Sequence, residues 1–174
     1  MVVLPLCALA NVSWYSWLFH AGKVTIDIGE HYQKQTWRNR FDIAGPNGGF
    51  ACTLTVRGQK GVKTPMHAIE TIDDGWRQTL TRTLATCYSP APFFEHYWPQ
   101  LEQLLMADTT NLSEFNKSTL EWALEALDIA PNIVFSTEYV ELDAMTLDLR
   151  DAFKPSKSHV KTPVYQQVFS DRCG

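Results

Sequence analysis

Two short apolar runs with one helix-length segment between them constrain this chain most. Val2 to Leu6 is strand-like, and Asn11 or Ser13 can cap a helix that reaches about His20, where Gly22 ends it. From Lys23 to Gly29, Val24, Ile26 and Ile28 alternate with Lys23, Thr25 and Asp27, the period of a strand with one buried face. A β-α-β opening is the usual start of an α/β domain, so the expected fold class is α/β, with α+β as the alternative. At 174 residues the chain is long enough for one domain with a real core and too short for two ordinary ones. Met1 to Phe19 carries no charge, but it lacks a basic start and a small-residue cleavage site, and Pro5, Asn11, Ser13 and Ser16 interrupt it. A buried strand and an amphipathic helix explain it better than a signal or a stable membrane insertion.

A hairpin follows. Trp37, Asn39, Phe41 and Ile43 fall on one face, Arg38, Arg40 and Asp42 on the other, and Phe50, Cys52, Leu54 and Val56 return as a buried face. Gly45-Pro46-Asn47-Gly48-Gly49 makes the turn, with Asn-Gly supplying positive φ. If Ile43 pairs with Phe50, then Phe41 faces Cys52, Arg40 faces Thr53 and Arg38 faces Thr55. Both arginines then share one surface. Gly58 to Pro65 is a basic loop with the flavour of a phosphate loop but not its spacing.

Further on, Asp73 or Asp74 is placed to cap a helix over about 75–88, with Trp76, Leu80, Leu84 and Cys87/Tyr88 on one face. Pro92 opens another helix to about 106, which Pro99 should end or kink. Its aromatic group, Phe93, Phe94, Tyr97 and Trp98 with Leu101, reads as core. Asn111 and Glu114 fit a capping box for a helix to about 128, with Leu120, Ala123, Leu124 and Leu127 inward. Ile133 to Leu142 alternates as another strand. The expected architecture is one domain, a mixed β-sheet with a hairpin and about four flanking helices. The apolar run Val164 to Phe169 lacks a continuation, so the C-terminal part reads as incomplete.

The densest stretch for chemistry is Glu30 to Arg40. Cations, amides and two aromatics crowd there, the composition of a surface that grips an anionic, hydroxyl-rich ligand; a solvated salt-bridge network is the competing reading. The net charge of −4 conceals an asymmetry: from His31 to Ala68 there are six Lys/Arg and one acid, Asp42, while from Ile69 to Phe153 there are fifteen Asp/Glu and four Lys/Arg. A basic segment in an acidic protein points to a local anion site, not to nucleic-acid binding. Cysteines at 7, 52, 87 and 173 form no metal spacing and read as buried thiols of a reducing compartment, so the expected location is cytoplasmic. No metal or cofactor motif is present, and none is expected.

The run Glu30-His31-Tyr32-Gln33-Lys34-Gln35-Thr36-Trp37-Arg38-Asn39-Arg40, with Ile43 and Asn47-Gly48 after it, resembles the WbqC-like proteins of bacteria. The likeness continues through Trp76, Cys87-Tyr88, Pro92 to Tyr97, Leu112, Asn116, Leu127, Pro131 to Ile133, Ser136 to Tyr139 and Tyr165-Gln166, essentially the whole chain. It implies a place in surface-polysaccharide biosynthesis, that of O-antigen and lipopolysaccharide, and a transferase that attaches an amino acid such as glycine to a sugar. Three departures stand out: Ala8-Leu9-Ala10 where the family tends to carry Tyr-Leu-Pro or Tyr-Phe-Pro, Leu80 where a histidine is frequent, and an apolar C-terminal segment that family members add.

Two functions follow. One is an enzyme, leaning to a transferase, that moves an acyl or aminoacyl group onto an amino sugar on a phosphorylated carrier. It needs cations for phosphate, a base for the amine and donors for an oxyanion. Asp27, Glu30 or His31 are the candidate catalytic bases. Tyr32, Gln33, Lys34, Gln35, Trp37, Arg38, Asn39 and Arg40 are the candidate binding residues for a sugar phosphate or nucleotide sugar. The other is a binding module that uses the same residues without turnover, which the departures at Ala8 and Leu80 favour.

Overall fold

A computed structural model describes residues 1–57 and 62–154. Lys60 in the basic loop, the run Val164 to Phe169 and Cys173 lie outside the described residues. The chain opens as expected, with β1 (Val2–Pro5), α1 (Val12–His20) and β2 (Val24–Asp27). Asn11 caps α1, its side chain accepting from the Trp14 N–H at 3.0 Å. A hairpin follows, β3 (Arg40–Gly45) and β4 (Gly48–Thr53), then the short strands β5 (Val56–Arg57) and β6 (Glu70–Thr71), which pair antiparallel. Three helices come next, α2 (Trp76–Tyr88), α3 (Phe94–Met106) and α4 (Leu112–Ala126), then β7 (Ile133–Ser136) and β8 (Leu147–Asp148).

The main sheet has the order β7-β2-β1-β8 and is parallel throughout. With its antiparallel hairpins the fold is α/β. β2 is central, between β1 and β7, and both its faces are also covered: Thr25 and Asp27 are buried together with Val24 and Ile26. One buried face is the pattern of an antiparallel or edge strand, and β2 is neither. β7 is shorter than its alternating pattern, since the chain turns away after Ser136. There Gly29 touches the backbone of Glu138 so closely that a Cβ would sit 2.3 Å from its carbonyl carbon.

The hairpin register is the expected one over its paired length: Ile43 opposes Phe50, Phe41 opposes Cys52 and Arg40 opposes Thr53. The turn is Pro46-Asn47, and the positive φ falls on Gly48 (116°) and not on Asn47. The pairing stops at Arg40, so Arg38 does not face Thr55. Residues 36–39 form a turn instead, closed by the Asn39 N–H donating to the Thr36 carbonyl at 3.3 Å. Arg38 points inward with no exposure at all, and the shared surface of Arg38 and Arg40 does not exist. Phe50 is exposed on the open side of β4.

Two cores form, and α4 joins them into one domain. The hairpin, α2 and α3 supply Phe41, Ile43, Trp76, Leu80, Leu84 and Leu105 to the first, with Phe115 from α4. Sheet and α1 supply Leu4, Trp14, Leu18 and Ile26 to the second, with Leu120 from α4. Three helix details differ from expectation. Gly75, at φ 89°, precedes α2, while the Asp73 carboxylate accepts from its N–H and Asp74 accepts from the Thr55 hydroxyl. Pro99 sits inside α3, where the carbonyl it leaves free belongs to exposed Glu95 and can meet water. Leu127 lies just beyond α4 and is exposed.

Candidate functional site

Glu30, Thr36, Arg38 and Asn39 are the buried polar residues of the Glu30 to Arg40 run, and an ion pair lies at their centre. Arg38 donates through Nε and Nη2 to both Glu30 carboxylate oxygens, at 2.7 and 2.5 Å, and both side chains are almost fully shielded. Such a fork is a strong pairing, and only arginine can supply it. The peptide groups of the run are held as firmly. Asn116 of α4 donates to the Arg38 carbonyl, Asn39 donates to the Leu54 carbonyl, and the Ala8 N–H donates to the Trp37 carbonyl. A long chain segment with no regular structure can be buried only if its peptide groups find partners in this way.

Asp27 anchors a second, adjoining network at the carboxyl end of β2. Its carboxylate accepts from the Gly29, Glu30 and Val140 N–H groups and from Arg150 at 2.6 Å. Arg150 in turn forks onto Asp148, at 2.9 Å through each of Nε and Nη2. Burial pushes the Glu30 carboxyl up from the usual range, and the bond to Arg38 pulls the other way. Arg150 holds the Asp148 carboxyl below its usual range.

The candidate residues therefore separate. Asp27, Glu30, Arg38 and Asn39 are internal and bonded to other parts of the protein, while Arg38 Nη1 and Asn39 Oδ1 have no partner among the described residues. Tyr32 packs half-buried against the first core, and burial pushes its phenol up to about 12. Gln33 reaches Asp151 at 3.4 Å. His31, Lys34 and Gln35 are exposed, with Gln35 at φ 57°, and Arg40 is half-buried on the hairpin. Of this group, Trp37 faces a cavity.

That cavity lies where open parallel sheets tend to bind ligands, beyond the carboxyl ends of the strands where the strand order reverses. The chain passes from β1 through α1 to β2 on one side of β1, while β8 lies on the other. Immediately after β1, Cys7 to Asn11 line a crevice of about 230 Å3, closed by Trp14, Trp37, Phe153 and the β3 pair Phe41-Asp42. A second cavity of about 320 Å3 shares Leu9, Phe41 and Asp42 with the first and runs between the hairpin, α2, α3 and α4. Its wall is aromatic, with Tyr88, Phe94, Tyr97, Trp98 and Trp122. The stripe expected as core is thus only partly packed, and Phe94 and Trp98 stack on each other at 5.0 Å along it.

Asp42 is the carboxylate common to both cavities, exposed and, among the described residues, without a hydrogen-bond or ion-pair partner. Neither cavity is lined by a lysine, arginine or histidine. Burial pushes the Cys7 thiol up to about 12, which disfavours the reactive thiolate. Leu9 stands on the divide with φ 40°, a conformation that leucine adopts only under constraint from its surroundings. Periodicity alone identifies none of these lining residues as a site. The one usable signal was that Asp42 is the lone acid of the basic segment.

Among the described residues no group of His, Cys, Asp and Glu is arranged to hold a metal ion. None of the described helices is long and apolar enough to cross a membrane. The model of the WbqC-like protein family matches residues 23–166, most of the chain, and the chain belongs to that family. No curated protein matches it, and no solved structure does. The matched region starts at β2, so Cys7 to Asn11 of the crevice precede it.

Proposed function

We propose that this family member is a cytoplasmic transferase of bacterial surface-polysaccharide assembly, in the O-antigen and lipopolysaccharide class. It would pass an acyl or aminoacyl group, glycyl for example, to an amino sugar carried on a phosphate. The observation that carries the reading is the crevice at the strand-order reversal, with an unpaired carboxylate, Asp42, at its neck and the Trp37 indole on its wall. Indole faces stack well on the apolar face of a sugar ring. In the transfer the acceptor nitrogen attacks the donor carbonyl carbon and an amide C–N bond forms. The bond to the leaving group breaks with its electron pair, and the proton released by nitrogen passes to Asp42. Asp42 takes the base role because Asp27 and Glu30 are committed to Arg150 and Arg38. The phosphate would meet Arg40, which lies on the same face of β3 as Asp42, and exposed Lys34, since the crevice lining itself has no cation.

The test incubates the full chain with a nucleotide amino sugar and activated glycyl donors and follows the mass gained by the acceptor. Wild type should transfer, and Asp42→Asn should lower kcat by roughly 100-fold, the usual weight of a general base. Binding without any transfer would instead support a non-catalytic module for a sugar phosphate, the reading favoured by Ala8 and Leu80 at the two positions where the resemblance leads one to expect Tyr and His.

A further inference from the structure

The second cavity has a chemistry of its own, unlike that of a phosphate or sugar site. It is large for a gap in a core: a void that admits one benzene ring is about 150 Å3, and this one is about 320 Å3. Its wall offers aromatic faces and aliphatic side chains, Leu84 and Leu101 among them, and it opens toward Asp42. Two sites of forced backbone lie along it. Leu9 at its divide has φ 40°, and Phe93, between the lining residues Ala91 and Phe94, has φ 61° and is widely exposed. Non-glycine residues held in this region are strained and persist where the surroundings demand a shape. Two of the four such residues in the described chain border this one cavity.

We propose that the cavity is a binding site for an amine-bearing aromatic compound, a flat body of one or two rings with a protonated nitrogen. The rings would lie among Tyr88, Trp98 and Trp122, where offset and edge-on aromatic contacts are available. The ammonium group would sit at the neck against Asp42, with the neighbouring ring faces adding cation–π attraction. An anionic ligand of the same shape would bring its charge to a wall without cations and to a carboxylate. Arg40 lies two residues from Asp42 on the same face, and no ion pair among the described residues joins the two, so the carboxylate can meet the ligand. The inference rests on the same neck residue as the transferase reading but not on any transfer. A protein that transfers glycyl groups and ignores these amines would refute only this proposal, and the reverse outcome would refute only that one.

The test uses the full chain with tryptamine, indole and indole-3-propionate, followed by calorimetry or ligand-detected NMR. Tryptamine should bind with a Kd on the order of 0.1–1 mM, as fits a ligand of this size. Indole-3-propionate should bind at least roughly tenfold more weakly, and neutral indole should fall between them. Asp42→Asn should bring tryptamine and indole to the same affinity. Ala91→Trp, at the half-exposed rim, should block all three probes while the melting temperature stays near that of wild type. Equal or tighter binding of the propionate overturns the proposal, as does failure of all three to bind the folded wild-type chain. Tryptamine binding that survives Ala91→Trp unchanged places the ligand elsewhere and overturns it too.

Discussion

Two neighbouring regions of this molecule are rich in chemical groups and use them in opposite ways. The network of Asp27, Glu30, Arg38 and Arg150 is charged, and its ions are buried and paired within the protein. The cavities beside it are nearly uncharged, yet their one carboxylate, Asp42, is unpaired and accessible. The difference teaches that density of functional groups along a sequence marks places where burial must be compensated as readily as places where ligands bind. What separates the two cases is whether the partners lie elsewhere in the chain. Here they do: Asn116, Leu54, Ala8 and Arg150 are all far from the run in sequence.

The strongest way to break this comparison is to remove one ion of the buried pair. Arg38→Ala should destabilise the fold by about 3–5 kcal/mol in denaturant melts, because it leaves Glu30 charged and shielded from water. Arg38→Lys should recover little, since lysine cannot reproduce the fork. Replacing both partners, as Glu30→Leu with Arg38→Met, should be much milder than either single change. A loss below about 1 kcal/mol for Arg38→Ala would mean an exposed, ligand-ready arginine after all.

A smaller effect is expected in acid. Asp148 is held below the usual carboxylate range by Arg150, so the stability it adds is present above about pH 4 and fades as pH falls through its lower folded value. Melting temperature measured from pH 6 downward should fall, and Asp148→Asn should flatten part of that decline. An identical slope in the variant would separate Arg150 from the acid response.

The smallest effect sharpens the other half. Asp42→Asn should change stability by no more than about 0.5 kcal/mol, because the carboxylate is exposed and bonded to nothing. A large loss in thermal melts would place Asp42 in the scaffold and leave the cavities without a chemical handle.

Much of the fold could be read from the chain because local signals agreed with global packing. The alternation in β3 and β4 set the hairpin register, and Asn11 and Asn111 marked two helix starts. Reading failed where a long-range partner decided the outcome. Nothing local says that β2 is covered on both faces, since Asp27 is covered by Val140 and Arg150, more than a hundred residues away. Nor could pattern show that the alternation through Trp37 and Asn39 stops being a strand, because the demand of Glu30 for a cation pulls Arg38 inward. For the site, Trp37 was legible by type. The aromatic stripe of α3 was legible as apolar but not as a cavity wall, because an unfilled gap is a property of how three helices and a hairpin meet.

The most direct test of the account is an NMR map of the full chain titrated with a nucleotide amino sugar, following backbone amides and tryptophan indole N–H signals. The account predicts perturbations at Cys7 to Asn11, at Phe41 to Ile43 and on the Trp37 indole, with the amides of Glu30, Arg38 and Arg150 little changed. Perturbations centred on Glu30, Arg38 and Arg150, with Cys7 to Asn11 and Asp42 silent, would contradict it and return the ligand to the charged run.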